Sequence, residues 1–136
     1  MKAIARRENE GFTHRIEVRD HQVTVDELAE HGGADEGPSP QELLAASIAS
    51  CTAVTMEMYA NRKGWDIGQV EVDCEYETPE RGSPTRFNLV LRLPDSLTQE
   101  QVDVLRRIAG KCPVHRALEG ESIFEDRVEL VSPAQT

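Results

Sequence analysis

The chain is poor in aromatic residues: three Phe, two Tyr and one Trp make up 4% of its 136 residues, so its core must be built from aliphatic side chains. Cysteine is also scarce, with Cys51, Cys74 and Cys112 giving an odd count that does not suit a disulfide scaffold. Basic residues are outnumbered, 15 against 25 acidic, and the resulting formal charge of -10 argues against nucleic acid or an anionic membrane as the main partner. The opening M-K-A-I-A-R-R-E lacks an apolar h-region, so no signal peptide is read there. With three cysteines and no secretory signal, a reducing cytoplasm is the expected compartment, and any disulfide would be a transient, working one. The chain has no internal repeat, no linker and no phosphate-cradling G-x-x-x-x-G-K-[ST] loop. One domain spanning residues 1–136 is expected.

What the chain does have is one dominant stretch, from Gly37 to Gly64. Ser39 is a natural N-cap, Pro40 suits the first helical position, and Glu42 completes a capping box. Gly64 suits the C-terminal cap, and Arg62 and Lys63 lie where the helix dipole favours cations. No charged residue occurs between Leu43 and Met56, which predicts a helix buried on all faces. That uncharged run is too short to cross a bilayer. A helix of about 24 residues is about 36 Å long. The rest of the chain offers few apolar elements to cover it, which predicts an obligate homodimer built around this helix.

The flanking segments alternate. Lys2 to Glu8 reads as an opening strand, Phe12 to Arg19 as a second with Phe12, Ile16 and Val18 on one face, and Val23 to Asp26 as a third after a turn at Asp20-His21-Gln22. Beyond Gly64, Val70, Val72, Cys74 and Tyr76 share one face of a strand whose other face is acidic, and Phe87 to Leu93 forms its partner. A helix from about Thr98 to Ala109 follows, then a short one starting at Pro113, then a last strand from Ile123 to Val131. The order βββ-α-ββ-αα-β is an α+β arrangement of helices on antiparallel sheets.

The chemistry rests on cysteine. Cys51 lies mid-helix in apolar surroundings, where a free thiol commonly just packs and where its pKa rises. To react it needs an added positive charge, such as an arginine. Cys112 precedes Pro113 at a helix start, where backbone N–H groups favour a thiolate, and Lys111, His115 and Arg116 surround it with positive charge. The plain alternative is a loop cysteine with solvated basic neighbours. Together the two thiols suggest a peroxidatic and resolving pair, one becoming sulfenic acid and the other condensing with it. Cys74, alternating with valines, reads as a small core hydrophobe. Cys112 and His115 have C-x-x-H spacing that Cys51, His14 or His31 would have to complete for zinc, but no second close-spaced pair exists, so no metal and no cofactor are expected.

The blocks G-P-S-P-Q-E-L-L-A-A-S-I-A-S-C-T-A, Y-A-N-R-K-G-W and C-P-V-H-R-A-L-E-G-E resemble the OsmC/Ohr family of osmotically inducible and organic-hydroperoxide-resistance proteins, most closely its OsmC-like, YhfA-type branch. The resemblance implies an intertwined homodimer whose six-stranded antiparallel sheets wrap two central helices, with the active site at the dimer interface. It implies thiol peroxidase chemistry on organic hydroperoxides, with Cys51 peroxidatic, Cys112 resolving and a dithiol reductant as partner. That reverses the order which the helix-start argument alone favours for the two thiols. A family arginine supplies the missing charge, and Arg19 of the Arg19-Asp20 turn is the candidate, with Arg15 in reserve.

One position departs from the family's peroxidase pattern. Where a glutamate would stand ten residues before the helix cysteine and pin the arginine, this chain has Gln41. Glu42 is adjacent, but the capping box is its simpler role. A neutral amide forms no charge-assisted pair with guanidinium. The alternative reading is therefore a non-enzymatic or divergent member that binds a small apolar ligand at the dimer interface.

Overall fold

The computed structural model describes residues 1–133. Its central element is helix α1, Pro40–Lys63, with the predicted caps in place. The Ser39 N–H donates to Glu42 Oε1 at 2.9 Å, and the Glu42 N–H donates to Ser39 Oγ at 3.2 Å. At the far end Gly64 takes a left-handed φ of 71°, a conformation glycine enters without steric cost, and its N–H closes onto the Ala60 and Asn61 carbonyls.

Within the single chain, the burial expected for all faces of α1 is reached on one. Ile48, Thr52, Met56 and Ala60, spaced four apart, form the one buried stripe, while Val54 remains 50% exposed and Met58 60%. The reason is that α1 meets its own chain's sheet and helices from one side only. Within this 24-residue helix an 18-residue window reaches a mean hydropathy of 1.3, long and apolar enough for a membrane span by length and composition only. Its packing against β4, α2 and α3 is that of a core helix.

Strands β1 (Ile4–Arg7), β2 (His14–Val18) and β3 (His21–Val25) form an antiparallel meander in that order. The predicted turn shifts: Val18 pairs with His21, so the connection is Arg19-Asp20 and His21 already belongs to β3. Arg19 takes φ 55°, so a non-glycine residue occupies the left-handed region at this tip. Strands β4 (Glu71–Glu77) and β5 (Arg86–Arg92) make a second, two-stranded antiparallel sheet, with Cys74 opposite Leu89. Tyr76 and Phe87, also directly opposite, stack at 5.1 Å between ring centroids. Val72, Cys74 and Tyr76 turn inward, and the glutamates and Asp73 between them outward, as period-two alternation requires.

The six-stranded sheets implied by the resemblance are thus three plus two within this chain. The predicted final strand, Ile123 to Val131, is also corrected: residues 121–132 carry no strand. A strand needs a ladder partner, and none of this chain's strands pairs with the segment. Its apolar side chains lie in the open, Phe124 at 88% and Leu130 at 96% exposure.

Helix α2 (Gln99–Ala109) starts at a second capping box, Thr98 with Gln101, and α3 (Pro113–Glu119) has Pro113 at its first position. The core lies where α1 and α2 meet β4 and β5: Met56, Ala60, Ile67, Leu105 and Ala109 are buried together, and Tyr59 and Trp65, edge to face with each other, pack against them. Trp65, partly buried, packs against this core from the residue after the α1 cap.

A separate polar knot holds the loop that feeds α1. Asp26 is buried. Its carboxylate accepts from Thr13 Oγ1 at 2.8 Å and from the N–H groups of Glu27, Glu36 and Ala34 at 2.7, 3.2 and 3.5 Å. Gly33 fits into the same loop because a Cβ there would lie 2.0 Å from the Glu27 carbonyl oxygen.

Candidate active site

Helices α1 and α3 carry the two chemical cysteines to one place. Cys51, half-buried, sits seven residues after the N-terminal apolar residue Leu44 and one turn after Ile48 on α1, and Cys112, fully buried, is the N-cap of α3. Their side chains lie close enough for the Cys112 thiol to act on the ionisation of Cys51. The thiols are free. The contact exists because α3 is short, begins at the Cys112-Pro113 corner directly after α2, and packs on α1.

Burial pushes the Cys51 thiol pKa above its ordinary value, and the neighbouring Cys112 thiol pushes it the same way. The Val114 N–H and the Thr55 hydroxyl act in the opposite sense. The Thr55 hydroxyl is anchored one turn back, donating to the Cys51 carbonyl at 2.7 Å. This alters the reading of the short helix. Cys112 as N-cap makes no side-chain capping bond, whereas the Val114 N–H of the first turn of α3 acts to lower the Cys51 pKa. Sequence spacing could not show this, because it depends on how α3 lies against α1.

No arginine is among the groups acting on Cys51. Arg19 stands at the exposed tip between β2 and β3, and Arg15 is engaged with Glu8 at 2.7 Å. Glu42 is held in the capping box. Gln41 lines a different cavity, of about 870 Å³, between the three-stranded sheet and the start of α1, together with Phe12, His14, Val25 and His31. Cys51 and Gln41 are ten residues apart on one helix, or about 15 Å, so an arginine would have to bridge them. His14 and His31, needed to complete a zinc set, line that other cavity rather than the thiol pair. Among the described residues, no three His, Cys, Asp or Glu side chains cluster in a way that could hold a metal ion. Cys74 faces inward from β4, and burial raises its pKa also.

A second cavity, of about 560 Å³, lies between α1, β5 and α3 and is lined by neither Cys51 nor Cys112. Leu44, Ile48, Phe87, Leu89 and Leu118 form its apolar wall, and His115 lies on it with Nε2 2.6 Å from Glu119 Oε1. The sequence reading gives His115 as a basic neighbour of Cys112 and a possible zinc ligand; the alternation of β5 and the α1 residues Leu44 and Ile48 are the available signals for the wall.

Residues 30–125 match the profile of the family described as OsmC-like protein. This is more than half of the chain, and the chain belongs to that family. An uncharacterised protein of Haloferax volcanii is 25% identical over 114 residues, covering 82% of this chain and 83% of the relative. Among solved structures, an OsmC-like protein of Mycoplasma pneumoniae superposes with a TM-score of 0.73 at 21% identity, covering 88% of this chain and 86% of that one. The organic hydroperoxide resistance protein OsmC of Legionella pneumophila gives 0.66 at 24% identity, covering 88% and 90%. The organic hydroperoxide resistance protein OhrB of Bacillus subtilis gives 0.60 at 23%, again covering 88% and 90%. These likenesses establish the fold: an α+β OsmC-like arrangement of three helices and antiparallel sheets.

Proposed function

We propose that this protein is a homodimeric, cysteine-based peroxidase that reduces organic hydroperoxides, with Cys51 as the attacking thiolate and Cys112 as the resolving thiol. The observation that carries this reading is the approach of the two thiols, Cys51 on α1 and the buried Cys112 at the start of α3, near enough for one to act on the other's ionisation. Cys51 attacks the peroxide and becomes sulfenic acid, Cys112 condenses with it, and water leaves as the disulfide forms. A dithiol then returns both thiols to the reduced state. Organic hydroperoxide resistance is the named role of the Legionella pneumophila and Bacillus subtilis relatives, which supports the substrate class.

The dimer supplies what one chain lacks. The exposed face of α1 at Val54 and Met58, and the apolar side chains of residues 123–131, favour burial against a second copy. Cys51 needs a positive charge that its own chain does not bring, and Arg19 at its exposed tip is free to reach a neighbouring subunit's thiol. The test is direct. Reduced protein given an alkyl hydroperoxide should lose two thiols per chain, and peptide mapping should find the Cys51–Cys112 disulfide. Peroxide consumption by Cys51→Ser at the wild-type rate would end the reading.

The second reading, a divergent member binding a small apolar ligand at the dimer interface, is favoured by Gln41 in the place of glutamate and by the raised pKa of Cys51. Thiols that stay reduced in excess peroxide, while a hydrophobic ligand raises the melting temperature, would select it.

A further inference from the structure

Cys112 is 0% exposed, whereas Cys51 is only partly buried. Burial within one chain is a minimum: a second copy can cover more surface, but it does not uncover Cys112. The Cys112 backbone is tied on both sides of the corner between α2 and α3. Its N–H donates to the Ala109 carbonyl at 3.3 Å, and its carbonyl accepts from the Arg116 N–H at 3.0 Å. Ala109 is itself buried in the core with Leu105, and α3 packs on α1. The Cys112 sulfur therefore reaches solvent only when this corner opens. A disulfide is cleaved by a thiolate that attacks one of its two sulfurs, and access decides which. The attack runs along the S–S axis, from behind the sulfur that is taken. A thiolate directed at Cys51 meets a residue that solvent reaches. One directed at Cys112 would have to arrive from the enclosed side of a fully buried residue.

We propose that an external dithiol reduces the Cys51–Cys112 disulfide by attacking the Cys51 sulfur, so that the mixed disulfide forms on α1 and Cys112 is the leaving thiol. The proposal rests on the peroxidase reading and adds to it which sulfur the reductant takes. One thiol of the reductant, as thiolate, forms an S–S bond to Cys51 while the Cys51–Cys112 bond breaks. The electron pair of that bond leaves on Cys112, which takes up the proton the reductant released. The second thiol of the reductant, as thiolate, then attacks the reductant's own sulfur in the mixed disulfide. That closes the reductant's disulfide and expels Cys51, which takes the second proton. Two electrons have passed from the dithiol to the two cysteines. Cys112 meets only Cys51 throughout the cycle and is sheltered from every outside thiol.

Trapping the mixed disulfide tests this in the wild-type chain, with no substitution to disturb folding. One sample is brought to the disulfide with an alkyl hydroperoxide and another with diamide, an oxidant of thiols that needs no peroxidase. Mercaptoethanol, a monothiol that cannot complete the second step, is added in limiting amount. The reaction is stopped with acid at the earliest times, the freed thiol is alkylated with N-ethylmaleimide, and both adducts are mapped by mass. Mercaptoethanol is expected on Cys51 and maleimide on Cys112, in about a tenfold or greater excess over the reverse pattern, because Cys112 is attacked only through local opening. Mercaptoethanol chiefly on Cys112, or equally on both at the earliest times, would overturn the proposal. A disulfide that forms with diamide but not with the hydroperoxide would overturn the peroxidase reading instead, and the diamide sample would still show which sulfur is taken. Failure of both oxidants to join Cys51 to Cys112 would overturn the two together.

Discussion

The Cys112 thiol, at the start of α3, lies close enough to Cys51 on α1 to raise its pKa, and the backbone N–H of Val114 acts on the same Cys51 thiol in the opposite sense. A thiol so placed has its acidity set by competition. Burial and the second sulfur raise its pKa; the Val114 N–H and Thr55 hydroxyl lower it.

Removing the Val114 N–H isolates one side of that competition. Proline is tolerated in the first turn of a helix, so Val114→Pro deletes the donor while α3 persists. The Cys51 thiol should then titrate at still higher pH, read from thiolate absorbance or from the pH dependence of alkylation. The linkage follows in sign. A folded-state pKa above the ordinary 9.0 contributes stability that is complete below that value and is lost as pH rises through the folded one. Wild type should therefore lose stability on the alkaline side, and Cys51→Ser should lose less of it. An unchanged titration in Val114→Pro would show that this N–H does not govern the thiol.

Arg19 gives a prediction of opposite sign. If it serves Cys51 across a dimer, Arg19→Ala should raise the Cys51 pKa and slow peroxide consumption without changing the melting temperature, because Arg19 is exposed in its own chain. Arg15→Ala, which breaks only a surface pair with Glu8, should leave both unchanged. A Cys51 titration unmoved by Arg19→Ala would remove Arg19 from the site.

The buried Asp26 predicts acid sensitivity in the loop before α1. Burial alone would raise its pKa, but the hydrogen bonds from Glu27, Thr13, Glu36 and Ala34 outweigh it, and the carboxyl is held below the ordinary 3.8. A depressed carboxyl contributes stability that is present above the unfolded value and is lost as pH falls through the folded one. Below about pH 4, hydrogen exchange should accelerate first at the N–H groups of Glu27, Ala34 and Glu36. Asp26→Asn should bring that acceleration to neutral pH and weaken the acid dependence. Protection at those amides that is the same in Asp26→Asn as in wild type would refute the assignment.

Much of this architecture is written locally, and what is not has a common cause. The caps at Ser39, Glu42 and Gly64 and the alternation at Val72, Cys74 and Tyr76 depend on neighbours a few residues away, so they were legible. The Arg19-Asp20 turn was displaced by one residue because His21 joins the ladder through its backbone, to which its side chain gives no clue. The exposed face at Val54 and Met58 and the strandless segment 121–132 depart from the sequence reading for another reason. Apolar patterning says that a side chain will be buried, never by which molecule. In the site, the chemical types of Cys51 and Cys112 were readable, but their contact and the aim of the Val114 N–H arise from the crossing of α1 and α3, which no spacing encodes.

Two methionines two residues apart on α1 separate folding from association. Met56 is fully buried in its own chain's core with Leu105 and Ile67, whereas Met58 is 60% exposed. Met56→Ala leaves a cavity among fixed neighbours, and a cost of about 2–5 kcal/mol is expected. Met58→Glu removes nothing from the core of a single chain, but it would set a charge in the interface that a second copy is proposed to cover. Sedimentation should show Met58→Glu dissociating at concentrations where wild type is dimeric, with the secondary structure kept. The wild-type melting temperature should rise with protein concentration, and that dependence should vanish in the Met58→Glu variant. A wild type that sediments as a monomer, or a Met58→Glu variant as firmly dimeric as wild type, would mean that this face of α1 is not the contact surface.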